Sequence, residues 1–106
     1  MAKYLIMASY TSEGAKGLLK DGGTKRRQAA EQAIKSAGGK LEAFYFAFGE
    51  NDAFVIIDAA DHATIASVSL AINASGAVHS KTVVLVTPEE IDQETKKSTT
   101  YVPPGR

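Results

Sequence analysis

A chain of 106 residues in which twelve Lys and Arg balance twelve Asp and Glu, with no cysteine, is sized for one domain. The charge balance argues against nucleic-acid binding, which draws on an excess of Lys and Arg facing phosphates. The missing cysteine removes disulfides, thiolate nucleophiles and thiolate metal sites. The opening MAKYLIMASY holds an apolar run too short for a bilayer span, and no cleavage-site pattern follows a long apolar core. A cytoplasmic protein with no membrane partner is the expectation.

Residues 3–10, KYLIMASY, are β-prone and free of Pro and Gly, and they predict a strand. TSEGAKGLLKDGG follows as a short helical turn broken at Gly22 and Gly23. Thr24 is placed to cap the next helix by accepting a backbone N–H bond. That helix, TKRRQAAEQAIKSAGG, carries apolar residues at 29, 30, 33, 34 and 37, a single helical stripe. Gly38 and Gly39 close it, because glycine takes the left-handed terminal conformation without penalty. Residues 40–48 predict a strand, 49–52 a tight turn and 53–59 a second strand, the polar gap being a hairpin signal. Gly49 suits a positive φ in that turn, and Asp52 suits accepting backbone N–H bonds across it. Asp61 caps DHATIASVSLAINASG, which Gly76 closes, and 78–87 predict a fourth strand. In TPEE, Thr87 caps, Pro88 takes the first turn and Glu90 completes a capping box. The last helix fades near Lys97, so residues 1–98 make the domain and 99–106, TTYVPPGR, an extended tail.

The order β-α-β-β-α-β plus a terminal helix, with short connections and right-handed crossovers, predicts an α+β, ferredoxin-like fold. Its antiparallel four-stranded sheet would carry both main helices on one face. Sorted by parity, Phe44, Phe46 and Phe48 fall on one side of strand 40–48, with Leu41 and Tyr45 on the other. Val55 and Ile57 oppose Phe54 and Ile56, and Tyr4 and Ile6 oppose Leu5 and Met7. Each strand is apolar on both faces. An open face of that kind exceeds the apolar patch that soluble monomers tolerate. Covering five such side chains is worth on the order of 8–15 kcal/mol before association costs. Sheet-against-sheet pairing with a second copy, a dimeric α/β barrel, is therefore expected. The competing solution folds the terminal helix and tail back over the face.

The oddest stretch is LLKDGGTKRR. Lys25, Arg26 and Arg27 stand at a helix start, where the dipole disfavours cations by ~0.3–1 kcal/mol each. Either Asp21 and solvent offset them, the favoured reading, or an anion binds at Gly22, Gly23, Thr24, Lys25, Arg26 and Arg27. No P-loop or Rossmann glycine pattern accompanies them. The histidines are His62, in a first helical turn, and His79, on the last strand. His79 is the candidate general base if its face lines a barrel interior, with Tyr45, Tyr10, Glu42 or Asp58 as the second polar group and Tyr45 foremost. The spacing offers no metal site, and no cofactor is implied.

DGGTKRR, GGKLEAFYFAFG leading into the hairpin, GEND at its turn, SGAV before the last strand and TPEE after it together resemble the GYD domain family over nearly the whole chain. The turn reads Gly49-Glu50-Asn51-Asp52, so Asn51 stands at the family's tyrosine position. The matched positions are Gly22, Gly23, Phe48, Gly49, Asp52, Gly76 and Pro88. The resemblance implies a bacterial-type domain of the dimeric α/β barrel group and no established reaction. The functional expectation is a homo-oligomer binding a small ligand in the cleft between sheet and helices. A cofactor-independent enzyme using that cleft and an anion-responsive sensor built on residues 22–27 are the alternatives.

Overall fold

The computed structural model describes residues 2–106. In chain order they form β1 (Ala2–Tyr10), α1 (Ser12–Asp21), α2 (Gly23–Ser36), β2 (Lys40–Phe46), β3 (Ala53–Ala59), α3 (His62–Ala74), β4 (Val78–Leu85) and α4 (Pro88–Glu94). The strands make one antiparallel sheet in the order β2-β3-β1-β4. This is the split βαβ order of the ferredoxin-like fold, with β1 and β3 central.

The core lies on the face that α2 and α3 cover. Tyr4 and Ile6 of β1, Val55 and Ile57 of β3, Ile34 of α2 and Ile65 of α3 are buried together. Tyr4 is fully enclosed, and its hydroxyl meets His62 Nδ1 at 2.6 Å, which satisfies the one polar atom that the buried ring carries. His62 is itself exposed, so this bond joins the start of α3 to the end of the core.

Several local expectations are corrected. The first helix is a full ten residues rather than a short turn, because Thr11 caps it by accepting from Gly14 N at 3.2 Å. It runs to Asp21 and is separated from α2 by Gly22 alone. Gly22 therefore ends one helix, donating its N–H to Leu18 O, and starts the next. Thr24 lies inside the first turn of α2 and caps nothing. Gly22 holds φ 81° and ψ 169°, a region that essentially only glycine visits. Gly14 is required for a different reason: a Cβ there would collide with the Ala77 carbonyl oxygen, where α1 lies against the loop before β4.

In β2 the register jumps between Leu41 and Ala43, so Glu42 is a surplus residue. This bulge overturns the parity expected for the strand. Leu41, opposite Ile57, shares the helix face with Phe44 and Phe46, opposite Val55 and Ala53. The strand stops at Phe46, and Phe48 stands fully exposed in the loop. Gly49 is not among the glycines with positive φ. Asp52 reaches past its own turn: its Oδ2 accepts the Tyr10 backbone N–H at 2.8 Å, tying the hairpin to the end of β1.

The outer face carries Leu5 and Met7 of β1, Phe54 and Ile56 of β3, and Val83 and Leu85 of β4 in matching register. At one end Lys3 Nζ sits 2.7 Å from Glu42 and 2.9 Å from Asp58. The C-terminal segment does not cover this face. Helix α4 has its capping box and proline but no buried residue, and Tyr101 and Val102 are exposed. The molecule extends 56 × 32 × 22 Å with a radius of gyration of 16.8 Å, against about 13 Å for a compact chain of this length.

Candidate functional site

Helix α2 rests mainly on β2, and α3 mainly on β4. Between them, above the central strands, opens a cavity of about 420 Å³, within the range of small-molecule sites. The sequence explains why the gap does not close. Along α2, Arg26, Ala30, Ala33 and Ala37 recur at helical spacing and line one wall. Along α3, Ser67, Ala71 and Ser75 line the other. Leucines at these positions would fill the space; alanine and serine leave it vacant. Ile6, Ala8, Val55 and Val78 form the floor.

Polar chemistry gathers at one end. Tyr10 and Arg26 both line the cavity. Burial pushes the Tyr10 phenol above the ordinary tyrosine range; the nearby Arg26 guanidinium pulls it down, and the charge of Asp52 adds to the rise. The hydroxyl is therefore a donor at neutral pH. Arg26 is half-buried. Among the described residues no carboxylate lies within ion-pair distance of it, since the ion pairs are those of Lys3, Lys25 and Lys97.

The residues expected to act together are dispersed. His79 pairs with Ser9 on β4 and Tyr45 with Phe54 on β2. Both point to the outer face, on the two edge strands, three strand spacings or roughly 14 Å apart. Neither lines the cleft. Glu42 and Asp58 are engaged by Lys3. Of the polar groups considered beside His79, only Tyr10 faces the cavity. The basic run at the start of α2 also divides. Lys25 reaches Asp21 at 3.5 Å, Arg26 turns into the cleft, and Arg27 borders a shallow groove with Gly23, Thr24, Phe44 and Phe46. Gly22 supplies no side-chain cap, and the three cations do not converge on one point. Among the described residues no three His, Asp or Glu side chains assemble into a metal cage, and no helix is long and apolar enough to cross a membrane.

The cleft, the sheet order and the hairpin all fall within the segment that a known family model recognises. The model of the GYD domain matches residues 4–94. The chain belongs to the GYD domain family. The GYD match takes in both helical walls of the cavity, Tyr10, Arg26 and the outer face, and ends with α4. No curated protein and no solved structure matches the chain.

Sequence reasoning places a ligand in the cleft but misses the residues that hold it open. The alanines of α2 read as one core stripe, and Ala71 of α3 carries no signal by itself. Their spacing in step with Arg26 was the available signal: a small-residue stripe that begins with a cation marks a wall left unfilled and polar at one end.

Proposed function

We propose that this GYD protein is a homo-oligomer that binds a small molecule in the cleft between its sheet and helices α2 and α3. One observation carries the reading, the cavity of about 420 Å³. Protein interiors are close-packed, with few voids larger than a water molecule. A space of this size, walled by small residues and polar at one end, is therefore the default place for a ligand. Self-association is supported by the outer face, where Leu5, Met7, Phe54 and Ile56 stand in register, half-buried, beside exposed Tyr45 and Val83.

Native mass spectrometry of the protein, purified gently from its own host, tests both halves. The expected species has the mass of at least two chains plus a small molecule, and the small molecule is lost in Ala30→Leu. A lone chain at every concentration would sink the oligomer. Bare protein, with identical spectra for wild type and Ala30→Leu, would sink the ligand.

A cofactor-independent enzyme in the same cleft is the second reading. It is favoured by the Tyr10 hydroxyl, held beside Arg26 with Asp52 nearby. Turnover by wild type separates the two readings: a binder releases its ligand unchanged, whereas an enzyme converts it and Tyr10→Phe stops the conversion.

A further inference from the structure

The cleft's composition narrows the chemistry of its occupant, on the reading that the cleft is the binding site. We infer that it takes an apolar molecule bearing a single carboxylate, the head group against Arg26 and the Tyr10 hydroxyl and the body along the alanine walls.

Among the described residues, Arg26 is the one charged residue lining the cavity; the other polar side chains there are Tyr10 and three serines. It stands in the first turn of α2, where no acidic residue accompanies it and the helix dipole opposes a cation. A half-buried guanidinium with no carboxylate in reach wants an anion, and its planar fork matches a carboxylate through two parallel N–H···O bonds. The carboxylate closest to Tyr10 belongs to Asp52, and its Oδ2 is occupied by the Tyr10 backbone N–H at 2.8 Å. Tyr10 keeps its proton at neutral pH, as burial favours, and so gives the head group a third donor.

The rest of the site limits the charge to one. A phosphate or nucleotide would bring further negative charge and need further cations, but Lys25 turns to Asp21 and Arg27 borders a separate groove. Beyond Arg26 the walls are Ala30, Ala33, Ala37 and Ala71 over a floor of Ile6 and Val55. Such surfaces favour an apolar body and leave a second charge unpaired.

Isothermal titration with 2-naphthoate and its neutral counterpart 2-naphthamide tests the inference on the full chain. Wild type is expected to bind the acid about tenfold or more tightly than the amide, as for a hydrogen-bonded charge in a sheltered site. Arg26→Gln should abolish that preference while leaving amide affinity in place. Arg26→Lys, which keeps the charge but loses the fork, should retain part of it. Ala30→Leu should weaken both probes. Equal binding of acid and amide by wild type, or an undiminished preference in Arg26→Gln, would overturn the carboxylate assignment; the cleft reading would survive if Ala30→Leu still weakened both. If neither probe binds, and the NMR signals of Ala33 and Ala71 do not move at saturating probe, the cleft reading falls together with it.

Discussion

On the helix side of the sheet, Tyr4, Ile6 and Ile57 are sealed almost completely, yet beside them the alanine walls of α2 and α3 stand open around a cavity. On the outer side, Leu5 stands opposite Ile56 and Met7 opposite Phe54, and among the described residues no helix buries them. Both faces are apolar by residue type, but what they lack differs. The inner face lacks volume, which on the proposed reading a small molecule supplies. The outer face lacks a whole surface, which on the proposed reading a second sheet of the same twist supplies. Hydrophobicity alone does not distinguish these two needs; the size of the facing side chains does.

The strongest way to break this contrast is to charge the outer face. Ile56→Glu puts an unpaired carboxylate at the centre of the proposed sheet–sheet contact, a change worth about 3–5 kcal/mol when the charge is fully buried. Sedimentation equilibrium should show association weakened by roughly 100-fold or more, with the circular dichroism of the chain retained. An unchanged subunit mass would remove the outer face as the interface.

Enlarging side chains sharpens the contrast within the inner face. Ala59 is fully buried in the packed end of the core, and Ala59→Leu should cost about 1–3 kcal/mol. Ala30→Leu projects into the cavity and should lie within about 0.5 kcal/mol of wild type. Urea midpoints decide the matter. Equal losses would mean that the helix layer is filled throughout.

The smallest effect is a titration. Burial raises the folded-state value of Tyr10 above that of the unfolded chain. The stability this contributes is fully present below the unfolded value, near pH ~10, and is lost as pH rises through the higher folded value. Because Arg26 pulls that value down, Arg26→Gln should move it further up. In a Tyr45→Phe, Tyr101→Phe background, the part of the phenolate absorbance that Tyr10→Phe removes reads the change, and a downward move would contradict the placement of Arg26 beside Tyr10.

Much of the fold is legible in local chemistry. The α2 stripe, the Asp61 cap on α3 and the Thr87–Pro88–Glu90 start of α4 act within a few residues of themselves, so sequence spacing finds them. The misreadings share a cause, since each depends on a partner distant in the chain. Thr24 looks like a cap until α1 is seen to run directly into Gly22. Asp52 looks like a turn residue until the end of β1 arrives beside it, 42 positions away. Which polar group stands beside His79 depends on strand pairing, and the order β2-β3-β1-β4 sets Tyr45 on the opposite edge of the same outer face. The cleft was anticipated as a location, but the alanines that hold it open carry no mark of their own until two helices face each other.

Glu42 has a consequence for how this strand tolerates change in length. Because it has no counterpart on β3, excising it would restore regular pairing with every later aromatic still turned as it is now, at the loss of one of the two carboxylates that grip Lys3. Removing a residue between Phe44 and Phe46 has no such slack, and it would roll part of the strand over, exchanging ring for ring between the helix-covered side and the outer side. The chain thus carries one expendable link within a segment where every other length is dictated.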